Sequence, residues 1–281
     1  MRGILADWYN FHVPTPFYHL SLAEELINHP SLPEKIRHFL QGNRCGFFFG
    51  NTAPDVQVVS GQPRQATHFF NLPIQTGDRP AWELLLTDYP LLAQTRQLPA
   101  TQVAFLAGYL CHLQADWLWV KDIFTPVFGP RCSWETFRQR LYYHNVLRAY
   151  LDQHILPELS PGMDACLGQV EPDGWLPFVQ DRHLAEWRDL LFPQLHGGAT
   201  PQTVEVFSSR QGISASEYYA LLESEDRMQK EVFEHLPVRL IQSYRQRVVD
   251  KSLLLLSDYL AFSLHPINTP IEGDVLHGDQ P

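Results

Sequence analysis

The spacing of apolar residues along most of the chain is that of amphipathic helices. Apolar side chains recur at three- and four-residue intervals over residues 17–29, and Pro30 ends the pattern because proline cannot continue a helix. The same intervals, with proline and N-cap signals at their ends, predict further helices. These predicted helices cover residues 33–41, 80–92, 99–124, 133–156, 181–191, 214–235 and 238–264.

Residues 42–78 break this pattern, because Gly, Pro, Asn and Asp recur there every few positions. Such residues favour turns, so we predict an ordered loop region and not a helix. Residues 161–174 are predicted to be a linker, and alternation typical of strands is nearly absent. The pattern therefore predicts an all-α fold, a single globular multi-helix domain at residues 14–265. An N-terminal extension at 1–13 and a flexible tail at 266–281 are predicted to flank it.

One predicted helix is apolar enough to raise the question of a membrane span. Residues 103–120 (VAFLAGYLCHLQADWLWV) hold His112, Gln114 and Asp116 in their middle. Polar and ionisable groups are costly in lipid, so we predict a buried central helix and no transmembrane segment. The first twenty residues contain no apolar stretch long enough for a signal peptide. We therefore expect a soluble, cytoplasmic protein.

Composition and charge narrow the classes of function. The chain has 281 residues, of which 44% are hydrophobic, and a formal net charge of -10. The apolar share excludes a disordered chain, and the acidic balance argues against a stable nucleic-acid complex. The balance does not exclude hydrolysis of a phosphate ester at a local cationic site such as a metal cluster.

The four cysteines show no CxxC spacing, and four in a chain of this length do not make a disulfide scaffold. We predict free thiols in a reducing compartment. The cysteines are Cys45, Cys111, Cys132 and Cys166.

The strongest local signal for chemistry is the pair His112 and Asp116 on the most apolar predicted helix. Residues four apart lie on one helix face, so an imidazole and a carboxylate there can bind a single cation. In apolar surroundings the two groups are costly unless they are paired or liganded. A His–Asp hydrogen bond inside the core is the alternative interpretation, and the pair alone does not exclude it.

Three other residues extend this pair towards a metal site. His19 lies near the start of the first helix, Asp55 ends the segment GNTAPD, and His68 stands within ATHFF. Each is unremarkable alone, since such residues are usually packed in a core or placed in a turn. Together with the pair they offer imidazoles and carboxylates from separate segments, which is the composition of a zinc site without cysteine.

With these motifs in this order, the chain resembles the zinc-dependent phospholipase C superfamily. That superfamily also contains fungal single-strand nucleases and the phospholipase D-like domain of the GPI-anchor-cleaving enzyme. The resemblance covers about residues 14–152, and it depends on the order and spacing of GNTAPD, THFF and GYLCHLQAD. It implies an all-α globule that binds one to three zinc ions in a cleft between helices.

The resemblance also implies a role for each matching residue. His68, His112 and Asp116 would bind one zinc ion, and Asp116 would also reach a neighbouring zinc bound by His19. Asp55 would reach towards a further zinc and is the candidate general base.

Two positions depart from the family pattern. Six residues after Asp116 the family usually has a histidine ligand, where this chain has Asp122. His144 matches a later histidine ligand, but Arg148 stands four residues on, where the family has a carboxylate. A cation there would repel a metal, so we expect one zinc to be absent or bound differently, with Asp152 as a partial substitute.

The function that the resemblance implies is zinc-dependent phosphodiester hydrolysis of phospholipase C type. Zinc lowers the pKa of bound water from near 16 towards about 7, and that water would attack the phosphorus of a phospholipid or similar phosphodiester. Three alternatives stay open at this point. One is a metal-binding or structural helical protein without catalysis, which Asp122 and Arg148 favour. The others are a single-strand nuclease and a helical scaffold without metal.

Overall fold

The computed structural model describes residues 13–264 except Ser133 and Gly198. The predicted N-terminal extension, apart from Val13, and the predicted tail lie outside the described residues. In the described part the chain is helical and has no strand, which confirms the predicted all-α fold.

The described residues form fourteen α-helices, joined by short 3-10 and π-helical segments. The α-helices are α1 (Pro16–Asn28), α2 (Glu34–Gly42), α3 (Arg44–Gly50), α4 (Gln57–Ser60), α5 (Gln65–His68), α6 (Ala81–Asp88), α7 (Ala100–Trp119), α8 (Phe137–Ile155), α9 (Met163–Gly168), α10 (Asp181–Leu191), α11 (Thr203–Gln211), α12 (Ala215–Leu222), α13 (Glu225–Arg227) and α14 (Val238–Leu264). The 3-10 segments are Ala53–Val56, Pro90–Ala93, Thr95–Gln97, Leu156–Glu158 and Phe192–Gln194, and the π segments are Val120–Phe128 and Met228–Phe233.

Helix α7 is the centre of the molecule. Every residue from Gln102 to Trp119 is buried, as predicted for the apolar segment. Helices α1, α3, α6 and α14 all pack against it. Within residues 13–264 no helix combines the length and the apolar character needed to cross a lipid bilayer.

The prediction of a loop over residues 42–78 was wrong for residues 44–68, which contain α3, α4, α5 and the 3-10 turn Ala53–Val56, whereas residues 69–78 contain no helix, as predicted. Glycine has low intrinsic helix propensity, and tertiary packing overrides it here. A Cβ on Gly50 would lie 1.9 Å from the carbonyl oxygen of Phe105, and one on Gly108 would lie 2.2 Å from that of Phe47. The missing side chains therefore let α3 and α7 approach closely.

Other boundaries also differ from the sequence-based expectations. Thr136 caps α8, since its Oγ1 accepts a hydrogen bond from the backbone N–H of Gln139 at 3.1 Å, and the predicted N-cap Ser133 lies outside the described residues. The predicted linker at 161–174 contains α9, and α11 was not predicted. The single predicted helix at 214–235 is divided by Ser224, whose side chain caps a second helix start.

The prediction that all four cysteines are free was wrong. Cys45 on α3 and Cys166 on α9 form a disulfide with an S–S distance of 2.10 Å. Cys111 and Cys132 have free thiols. The two bonded cysteines are 121 residues apart in the chain, so only the packing of α9 against α3 brings them together.

Candidate metal centre

The structure brings five of the predicted ligands together at one buried point beside α7. His112 and Asp116 lie one turn apart on α7, and His19 lies on α1. Asp55 lies in the 3-10 turn that follows α3, and His68 ends α5. We call these five residues the candidate ligands. They form two groups of three, His19–His112–Asp116 and Asp55–His68–His112. Within each group, the potential ligand atoms lie within 4.8 Å of one another.

The distances between ligand atoms match those around a tetrahedral zinc ion. His19 Nε2 lies 3.2 Å from Oδ1 of Asp116, and the Nε2 atoms of His68 and His112 lie 3.3 and 3.5 Å from its Oδ2. His68 Nε2 also lies 3.5 Å from Oδ1 of Asp55. Ligands at 2.0–2.1 Å from a tetrahedral ion are separated by about 3.3–3.4 Å. These four contacts therefore have the spacing of ligand atoms around one metal ion.

Neighbouring groups hold two of the imidazoles in the tautomer that metal binding requires. His112 Nδ1 lies 2.8 Å from the carbonyl oxygen of Asn51, so this nitrogen carries the proton and donates it. His68 Nδ1 lies 3.0 Å from Thr67 Oγ1, whose own hydroxyl donates to the carbonyl of Arg64. The Thr67 oxygen therefore accepts the N–H of His68. In the neutral form of each ring, Nε2 is therefore the nitrogen that presents a lone pair to the centre.

Four potential ligand atoms make no well-aligned hydrogen bond among the described residues. They are Nε2 of His19, His68 and His112, and Oδ1 of Asp116. A buried polar atom without a partner is costly, and a bound cation would remove that cost. The two groups of three share His112, whose single Nε2 can bind one ion. The donor set therefore fits one divalent metal ion.

Electrostatics keeps two of the three imidazoles neutral. Burial lowers the pKa of His68 to about 4, and burial together with His112 lowers the pKa of His19. Burial alone would lower the pKa of His112 as well, but the carboxylate of Asp116 raises it. Neutral imidazoles are the form that binds metal, so His19 and His68 need not lose a proton near pH 7.

The two carboxyls are held in the ionised form. Burial alone would raise their pKa values, but hydrogen bonds and positive charge from neighbouring side chains outweigh it. His68 and His112 lower the pKa of Asp55, and His112 with His19 and Arg64 holds the pKa of Asp116 well below its usual range. Both oxygen ligands are therefore anionic at neutral pH.

Sequence reasoning missed Arg64, which lies inside this cluster. Its Nη2 donates to Oδ2 of Asp116 at 2.6 Å, and its guanidinium lies 4.6 Å from the ring centroid of Phe70. The residue is only 3% exposed. Arg64 stands next to a proline in a segment predicted as loop, and it is 52 positions from Asp116, so no short motif identifies it.

The structure does not bring Asp122 or His144 into either group of candidate ligands. Asp122 lies in the π-helical segment after α7, where it forms an ion pair with Arg247 of α14 at 2.9 Å. His144 is buried among aromatic rings, and its Nε2 accepts a hydrogen bond from Trp119 Nε1 at 3.0 Å. Each predicted ligand is thus engaged by a protein partner.

Asp152, expected from the sequence as a partial substitute ligand, belongs to neither group of candidate ligands. Its carboxylate is fully buried and accepts hydrogen bonds from the hydroxyls of Thr15 and Thr203. Burial raises the pKa of Asp152 to about 7, against the opposing effect of the two threonines and Arg148.

A cleft reaches one of the candidate ligands. Asp55, which is 7% exposed, is the one candidate ligand among its described lining residues. Arg148 and Arg210 line the same cleft, together with an apolar wall from α1, α10 and α11. That wall contains Phe17, Trp187, Leu190, Leu191, Val206 and Phe207.

Comparison with known proteins identified no relative of this chain. No family model matches the chain, and neither the curated proteins nor the solved structures contain a match.

Proposed function

We propose that this protein is a metal-dependent phosphodiester hydrolase of phospholipase C type that uses one zinc ion. The observation that supports this proposal most is the convergence of the five candidate ligands, with four imidazole–carboxylate distances of 3.2–3.5 Å. The resemblance in order and spacing of GNTAPD, THFF and GYLCHLQAD supports the reaction class.

Zinc bound here would supply Lewis acidity and an activated water at neutral pH. The protein's own residues would bind the metal ion and accept the proton. His19, His68 and His112 would direct their Nε2 atoms to the metal ion. The hydrogen bond from Arg64 would hold Asp116 in position. Asp55 is ionised and reaches the cleft, so it is placed to accept the proton of an attacking water.

The apolar wall of the cleft would exclude water from the far side of the substrate. Its side chains suit the hydrocarbon part of an amphiphilic phosphodiester better than a nucleotide chain. The net charge of -10 also disfavours a long polyanion. We therefore place phospholipid-like substrates ahead of single-stranded nucleic acid.

The test combines metal analysis with turnover. Purified protein loaded with zinc is expected to hold one ion per chain and to release a phosphorylated headgroup from phospholipid vesicles. Asp55→Asn is expected to lower the turnover rate by about 10²–10⁴-fold, because it removes the proton acceptor. Asp88→Asn, at the exposed end of α6, is the matched control and should leave the rate unchanged.

A zinc-binding protein without catalysis is the second candidate, and the contact of Arg64 with Asp116 favours it. A guanidinium on one carboxylate oxygen opposes a second cation there. One zinc per chain with no turnover of phospholipid, single-stranded DNA or a small phosphodiester would select this candidate. Absence of stoichiometric zinc would reject both.

A further inference from the structure

Two arginines face the same cleft as Asp55. Arg148 comes from α8 and Arg210 from α11, helices that pack against each other. Arg148 is only 5% exposed, whereas Arg210 lies at the exposed rim. A buried guanidinium at the bottom of a cleft and a second one at its rim give the cleft two cationic donors at different depths.

The protein holds Arg148 in position through α8 and α11. Its Nη1 donates to Oδ1 of Asn145 at 3.2 Å, and its guanidinium lies 4.4 Å from the ring centroid of Phe207. Phe207 precedes Arg210 by three residues, so both lie on one face of α11. The stacking of Arg148 on Phe207 therefore brings the two cations towards the same side of the cleft.

The charge balance of the cleft favours an anionic ligand. Burial lowers the pKa of Arg148 to about 10, so its side chain stays protonated at neutral pH. The carboxylates that attract it are Asp152, Asp55 and Asp116. A divalent ion on the candidate ligands would neutralise Asp55 and Asp116, and Arg64 already pairs with Asp116. The metal-loaded cleft then has a surplus of positive charge.

We propose that Arg148 and Arg210 form a binding site for the phosphoryl group of the ligand, beside Asp55. The guanidinium group matches the oxygens of a phosphoryl group, because its N–H donors form a planar fork. Leu190 and Val206, 39% and 37% exposed, flank this site and would contact the apolar part of the same ligand.

This inference rests on the proposed function. It also gives a physical role to Arg148, which stands where the pattern of the resembled family has a carboxylate. A carboxylate at this position would bind a metal ion, which in turn would bind phosphate oxygens. An arginine supplies the positive charge directly. The chain would thus replace one metal-ligand position by a phosphate-binding position.

Isothermal titration calorimetry with inorganic phosphate and dimethyl phosphate tests the site, on zinc-loaded and on chelated protein. Arg210→Gln is expected to weaken phosphate binding about tenfold to a hundredfold, the value of a charge-assisted hydrogen bond. Arg148→Lys should weaken it several-fold, since it keeps the charge and loses the fork. Arg239→Gln, an exposed arginine of α14 outside the cleft, should bind as the unaltered protein does.

Circular dichroism and zinc content are measured on every variant, so that loss of fold and loss of metal are recognised separately. Unchanged phosphate affinity in folded Arg210→Gln and Arg148→Lys would overturn the inference, as would no phosphate binding by the unaltered protein. Neither result depends on turnover. Conversely, a protein that binds phosphate through these arginines but holds no zinc would support the site and reject the proposed hydrolase.

Discussion

The guanidinium of Arg64 and the carboxylate of Asp116 form a fully buried ion pair at the candidate metal centre, with 2.6 Å between Nη2 and Oδ2. The other oxygen of Asp116 lies 3.2 Å from Nε2 of His19 and has no well-aligned hydrogen bond among the described residues. Oδ2 of Asp116 is therefore bound by a protein cation and is also near the Nε2 atoms of His68 and His112, whereas Oδ1 is near that of His19. The contact with Arg64 supports the proposal of a single metal ion, because a guanidinium already occupies Oδ2.

Removal of Arg64 should make the fold depend on metal. Arg64→Met leaves the buried carboxylate of Asp116 without its protein cation, which costs about 3–5 kcal/mol for a buried pair. Urea denaturation of protein treated with a chelator should show a free energy of unfolding that is lower by this amount. Added zinc should restore part of it. Arg79→Met, which breaks an exposed pair with Glu83, should change the free energy of unfolding by less than about 1 kcal/mol. Equal stability of Arg64→Met with and without zinc would contradict the assignment.

The contact between α3 and α7 should control the candidate metal centre. Gly108→Ala would place a Cβ 2.2 Å from the carbonyl oxygen of Phe47 and 2.9 Å from the backbone nitrogen of Asn51. The helices must separate, which we expect to cost about 3 kcal/mol and to displace the Asn51 carbonyl from His112.

Thermal unfolding and zinc affinity measure these two effects together. Gly42→Ala is the control, because a Cβ there meets no atom within 4 Å. Normal zinc affinity in a destabilised Gly108→Ala protein would show that Asn51 does not orient His112.

The disulfide should stabilise the fold independently of the metal. It closes a loop of 121 residues between α3 and α9, and loss of a native disulfide typically costs about 2–5 kcal/mol. The double variant Cys45→Ser with Cys166→Ser should unfold at lower denaturant concentration, and a reducing agent should shift the unaltered protein in the same way. Cys132→Ser removes a free thiol and should have no such effect. A reductant-insensitive midpoint would argue against the bond.

The buried carboxyl of Asp152 should make stability fall as pH rises. Burial raises its folded-state pKa to about 7 from an ordinary value of 3.8. Between these values the folded protein holds a proton that the unfolded chain has released, so the contribution of Asp152 is full below the lower pKa and is lost as pH rises towards 7.

Asp152→Asn cannot ionise and should remove this dependence. Relative to the unaltered protein, the variant should gain up to about 4 kcal/mol between pH 4 and pH 7. Denaturation at several pH values measures the difference, with Asp88→Asn as the control for an exposed carboxylate. A difference that does not change with pH would mean that Asp152 is ionised in the folded state.

The sequence determined those features that depend on local spacing. Apolar periodicity predicted the long helices α1, α7, α8 and α14, and the four-residue step from His112 to Asp116 placed both on one helix face. The polar residues within the apolar segment of α7 indicated burial in protein and not in lipid. The motif order also identified His19, Asp55 and His68 as partners of that pair, and all five converge.

The tertiary structure alone decided the features that depend on contacts between distant segments. The disulfide joins residues 121 apart, and Arg64 meets Asp116 across 52 positions. Helix α3 forms despite its glycines because α7 packs closely on it, which local propensity does not report. His144 and Asp122 have suitable chemistry and spacing, yet Trp119 and Arg247 bind them instead. A side chain's partners are set by three-dimensional packing, and spacing along one helix fixes only which residues share a face.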